Sequence, residues 1–259
     1  MRNMLRMDLY RMSKSRYVRV CLLLALLFGL AQTPAKLALE GIARAFASGA
    51  NLSGIKPITQ ITLSSIFYDP FCIFNLNALL AMLAVCSFFY ADQEYGYIKN
   101  IAGQMPRRGY TVLSKFLASI PLNVMIVAAG IIGNLLGSVI LRPVVADADV
   151  MASIANCLLK LLLLQSVCSI LLLVTACFRG KAFGTALSVL FATGAMSLVY
   201  EAVNSGLSQA IKGFNIRDFM PDALMTNPTP TVNALLSAVI STALFLTLSI
   251  RIFDKKDVK

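Results

Sequence analysis

The segment DQEYGYIKNIAGQMPRRGYTVLSK, residues 92–115, holds two acids, four basic residues, three glycines and a proline between long runs almost free of charge. Those flanking runs decide the fold. Of 259 residues, 58% are hydrophobic and only 14% charged, against about 25% charged in a soluble domain. The apolar residues gather in repeated stretches, several reaching the ~18 residues that mark a membrane span. A soluble chain with this many buried helices would need more polar surface to cover them. The composition therefore predicts an all-α integral membrane protein.

Six transmembrane helices are expected, at about 17–35, 71–91, 116–141, within 151–178, at 182–200 and at 232–252. The first has a short apolar core, and Pro34 is expected to interrupt its end. The third is long enough to lie tilted. Basic residues beside the helix ends set the orientation. With both termini cytoplasmic, segments 1–19, 92–115, 178–181 and 251–259 lie inside and carry sixteen Lys and Arg against five acids. The outer segments carry six bases against seven acids. The net charge of +11 is thus mostly a topology signal and not a nucleic-acid footprint. Residues 36–70 and 201–231 become extracytoplasmic loops of a single transmembrane domain, 1–259. The second is rich in Pro, Asn and Asp turn signals, and its first half reads as an outer or a re-entrant helix.

The basic start is too long and too charged before its apolar run for a convincing signal peptide. Residues 1–16 instead form an imperfect amphipathic helix, with Leu5, Leu9 and Met12 on one face and Asp8 intruding on it. Anchoring on anionic lipid is the expected use. The six cysteines sit in or beside apolar runs, where cysteine behaves as a small hydrophobe, so no disulfide framework is expected. There is no histidine, which removes the commonest general base and metal ligand. No phosphate loop of the form G-x-x-x-x-G-K-[ST] occurs, and Arg179-Gly180-Lys181 reads as a tight turn. The chain is expected not to be an enzyme, with no catalytic residues and no metal site.

Within 92–115, Tyr97, Ile98, Ile101, Ala102 and Met105 recur at helical spacing, giving one apolar stripe that ends at Pro106. So short a helix is marginal alone, and its apolar face needs a cover. Physical reasoning leaves two covers open: lipid headgroups, with Arg107 and Arg108 holding the loop inside, or a docking partner.

The segment resembles the cytoplasmic loop of ABC-2 type permeases, the membrane subunits of ABC exporters. In that family the loop reads as an acid, a second acid, Gly-Thr, a short apolar helix, a proline, a basic residue and a lysine where the next span opens. Asp92, Glu94, Gly96, Pro106 and Lys115 match. Tyr97 replaces the threonine, and Arg108 lies one place before the common arginine. The basic amphipathic start, six spans, loop after span two and outer insertion before span six are also similar.

The resemblance implies a coupling helix over residues 94–105, seated on an ATPase through Ile98, Ile101 and Met105. It implies two copies of a separate soluble ATPase that hold the ATP and magnesium, and a second permease, identical or homologous. No cofactor is implied in this chain. Lipid is the surrounding partner, the bacterial cytoplasmic membrane the expected location, and nucleic acid is not expected. An amphipathic peptide, antibiotic or other hydrophobic substrate would be exported. Glu94 and Lys115 read either as a pair across the loop mouth or as a helix-start acid and a snorkelling lysine. Asn75 and Asn77 need partners inside the protein and, with Lys160, are candidates for a substrate path. Lys160 is also placed to snorkel toward the outer headgroups. Gly133 and Gly137 form a GxxxG pattern that permits close helix approach without naming the partner helix. Two other classes remain open: an ion-gradient carrier and a non-transporting scaffold.

Overall fold

The computed structural model describes residues 2–47, 61–68, 76–94, 109–141, 144–145, 147, 149–178, 180–207, 216–225 and 232–255. Within them the chain is helical apart from short connections and one two-residue parallel strand pair. Helix α1 (Arg2–Lys14) meets α2 (Arg16–Ala47) at Ser15. Strand β1 (Ile61–Thr62) and the short α3 (Leu63–Tyr68) precede α4 (Leu76–Glu94). Then come α5 (Gly109–Leu141), β2 (Val144–Val145) and α6 (Val150–Cys177). A bent pair follows, α7 (Lys181–Thr193) and α8 (Met196–Leu207), then a 3-10 turn at Ile216–Asp218, α9 (Pro221–Met225) and α10 (Val232–Lys255).

Four of these helices are long and apolar enough to cross a membrane: α2, α5, α6 and α10. The bent α7–α8 pair makes a fifth span if taken as one, and the apolar part of α4, Leu76–Ala91, is shorter. The chain has the character of an all-α membrane protein. Helix α6 is the central element, with α3, α4, α5, α9 and α10 packed on it. Leu163, Leu164, Val167, Cys168 and Leu171 of α6 are buried, whereas Leu235, Leu236, Val239 and Ile240 of α10 are exposed. In lipid that exposure carries no hydrophobic penalty, because acyl chains are as apolar as the side chains.

The closest packing joins α2 to α5. A Cβ on Gly29 would overlap the Gly130 carbonyl oxygen, and one on Gly133 would overlap that of Leu26. One on Gly137 would lie 2.7 Å from the Leu30 oxygen. The glycine pattern is therefore used within the chain, where it lets two backbones touch. Side-chain hydrogen bonds reinforce the crossing. The Thr33 hydroxyl donates to Asn134 Oδ1 at 3.0 Å and lies 3.0 Å from the Ser138 hydroxyl.

Several expectations change in detail. Pro34 does not end the first span; it lies inside α2, which continues to Ala47 and so takes up part of the expected outer loop. A proline inside a helix frees one carbonyl from its intrahelical bond. That carbonyl belongs to Leu30, four residues back, the group that faces Gly137.

The helix of the third expected span begins at Gly109, seven residues before 116. Its first amide, which no preceding turn can satisfy, donates to Asp254 Oδ1 of α10 at 2.6 Å. The fifth span is not one straight helix. Gly194 adopts a left-handed φ of 73°, closing α7, and α8 departs at 79°.

Candidate functional site

The structure gathers described parts of all four basic segments at one end of the bundle. The end of α1, the end of α4, the starts of α5 and α7 and the end of α10 meet there. The residues that flank 95–108 lie among them, so this end holds the candidate site. Gly96, Tyr97, Ile98, Ile101, Met105, Pro106 and Arg108 lie outside the described residues, as does Asn75. Glu94 and Lys115 are described, as are Asn77 and Lys160.

Lys115 is buried on the second turn of α5. Its ammonium donates to the Phe89 carbonyl of α4 at 2.9 Å and sits 5.7 Å from the centre of the Phe88 ring. A cation bonded to a helix carbonyl near the helix end complements the negative end of the α4 dipole. Neither of the two expected roles describes this contact: the lysine fastens α5 to α4 directly. Glu94 is the last residue of α4, and its side chain is exposed.

A second fastening was not foreseen. Asp8 is 3% exposed, and the Ser114 hydroxyl of α5 donates to its Oδ2 at 2.6 Å. Met4, Asp8 and Met12 recur every four residues and are all buried, so α1 turns this face onto the protein. The intruding acid marks the packed face. Its partner type, a small hydroxyl early in the next polar-to-apolar junction, was the available signal. The Gly109–Asp254 bond adds the third tie at this end, from α5 to α10.

The candidate path residues lie deeper and on different helices. Asn77 is buried on α4 against α5, where a Cβ on Gly130 would collide with its side-chain amide. Lys160 of α6 is 3% exposed. The side chain is enclosed by protein, which departs from the expected reach toward headgroups. Elsewhere polar side chains bridge the spans in pairs. Asn123 Nδ2 of α5 donates to Gln165 Oε1 of α6 at 2.9 Å, and Gln165 Nε2 donates to the Ser119 hydroxyl at 2.9 Å. Ser166 and Ser241 join α6 to α10 at 2.7 Å.

At the opposite end Tyr200 of α8 donates its hydroxyl to Asp222 Oδ1 of α9 at 2.7 Å, and both are buried. Burial pushes the Asp222 carboxyl above the usual carboxylate range, against the pull of the Tyr200 hydroxyl and nearby backbone amides. Glu201 makes a 2.6 Å ion pair with Arg217. The cysteines in the described residues, Cys21, Cys86, Cys157, Cys168 and Cys177, are free thiols. No protein-family model matches the chain, and no curated protein matches it.

Proposed function

We propose that this chain is the membrane-spanning subunit of an ATP-driven exporter of the ABC-2 permease type. In this reading α4 and the α7–α8 pair are the second and fifth of six spans, with both termini in the cytoplasm. Residues 94–105 couple to a separate ATPase, present in two copies with a second permease. The exported substrate is an amphipathic peptide, antibiotic or similar hydrophobic molecule.

The observation that carries the reading is the bracing of both helices that flank the loop. Lys115 ties the start of α5 to α4 through the Phe89 carbonyl. Asp8 and Asp254 tie that same start to α1 and α10. A push on the loop would then displace several helices together, as rigid-body transmission requires. An interfacial loop with no partner has no need of such bracing.

The 79° break between α7 and α8 favours one other reading, an ion-gradient carrier, since broken helices build many ion sites. Two described acids of that region are already engaged, Glu201 by Arg217 and Asp222 by Tyr200. Inside-out vesicles carrying the chain and its neighbouring gene products separate the two. Uptake of a fluorescent amphipathic peptide that needs ATP and survives an uncoupler supports the exporter. Uptake driven by an imposed proton or sodium gradient without ATP supports the carrier, and no uptake across a panel of hydrophobic probes contradicts both.

A further inference from the structure

A cavity of about 470 Å³ opens between the α1–α2 junction, α4 and the start of α7. Arg11, Arg16 and Lys181 line it on one side, with Glu94 as the acid of the lining. Among the described residues of the lining, cations outnumber acids three to one. Helices α2 and α7 begin in its wall, at Arg16 and Lys181, while α1 and α4 end there, so the opposed dipole ends leave the field to the side chains. Ser15 and Ser87 add hydroxyls, while Val18, Ala84, Phe88 and Ala91 add apolar surface. The Lys181 ammonium is held 5.5 Å from the centre of the Tyr17 ring, which fixes its position without neutralising it.

We propose that this cavity binds a phosphate group carried by an anionic lipid. The cations and hydroxyls suit a phosphodiester, and Arg in particular presents paired donors to phosphate oxygens. The apolar half of the lining suits the glycerol and first acyl carbons that follow, which a free phosphate lacks. The volume lies within the ~300–1,000 Å³ of small-molecule pockets. The position also fits, because α2 and α4 enter their apolar stretches from here. Such a lipid would wedge the junction of α1 and α2 against α4 and α7. The inference is independent of whether the chain transports anything.

The test uses the full chain, purified, stripped of lipid with detergent and titrated with phosphatidylglycerol, with phosphatidylcholine of the same acyl chains, and with inorganic phosphate, read by native mass spectrometry. Phosphatidylglycerol is expected to bind in preference, with phosphate competing only at far higher concentration. Lys181→Gln and Arg16→Gln remove exposed charges and should each weaken binding about fivefold, the effect of roughly one basic residue at a lipid surface. Arg6→Gln, an exposed charge on α1 outside the cavity, should leave binding unchanged. Equal weakening by Arg6→Gln would reduce the effect to diffuse charge and overturn the site. Equal binding of phosphatidylcholine would do the same. Competition by phosphate at matching concentration would overturn the lipid as its source.

Discussion

Lys115 and Phe89 are joined by a hydrogen bond from the lysine ammonium to the backbone carbonyl, 2.9 Å long and buried. It binds the helix that enters residues 95–108 to the helix that leaves them. A charged donor on a carbonyl contributes about 1.5–3 kcal/mol. Lys115→Met keeps most of the stem's volume and removes that bond. Thermal unfolding in detergent is expected to show a loss in that range, and Lys115→Arg should recover part of it. An unchanged or raised Tm for Lys115→Met would show that the tie contributes nothing.

Backbone contact between α2 and α5 makes a sharper demand. Gly133→Ala places a methyl against the Leu26 carbonyl, where the group in the way is backbone and cannot rotate aside. Overpacking of this kind costs about 1–3 kcal/mol and sometimes more. Gly206→Ala, in α8 with open space around it, should be neutral or slightly stabilising. Fluorescence-detected gel filtration after heating compares the two directly. Equal behaviour would contradict the close crossing.

Asp8 and Ser114 hold α1 to the bundle. Asp8→Ala leaves a buried hydroxyl without its carboxylate, which costs about 1–3 kcal/mol. Helix α1 should loosen, and trypsin should cut at Arg6 or Arg11 faster in the variant than in the native chain. Cleavage at an unchanged rate would mean that the apolar contacts of Met4 and Met12 alone hold the helix.

The Tyr200–Asp222 pair gives a pH dependence. Burial raises the Asp222 carboxyl in the folded protein above its unfolded value. The folded state thus holds this proton more tightly than the unfolded one. Its contribution to stability is complete below the unfolded value, near pH 4, and is lost as pH rises through the folded value. Asp222→Asn should flatten that part of the Tm profile as pH rises above about 4. A native profile that rises relative to the variant over this window would reverse the assigned sign.

Apolar runs made the membrane helices legible, and length alone located α2, α5, α6 and α10 to within a turn or so at most ends. What sequence reasoning placed less well depended on contacts between distant residues. Pro34 reads as a stop from its own ring, yet α2 runs on through it, packed against α5. Gly133 and Gly137 named a close approach, but Gly29, a hundred residues earlier, decided that α2 was the partner. Asp8 looked like a flaw in an amphipathic helix because Ser114 was not yet beside it. Gly194 was passed over because a single glycine in an apolar run has many uses, and only its left-handed φ reveals the break. Lys115 and Glu94 were singled out on resemblance. The bond from Lys115 to the Phe89 carbonyl joins residues 26 apart and was not legible from either side chain alone.

The central claim is that residues 94–105 dock a separate ATPase. Co-purification in detergent with the neighbouring gene products tests it most directly, comparing the native chain with Ile101→Asp. The account expects a soluble ATP-binding protein to come down with the native chain and to be lost with the variant, while both elute as the same folded species. If no such protein binds, or if binding ignores Ile101→Asp in an intact fold, the segment is an interfacial helix and the exporter reading is contradicted.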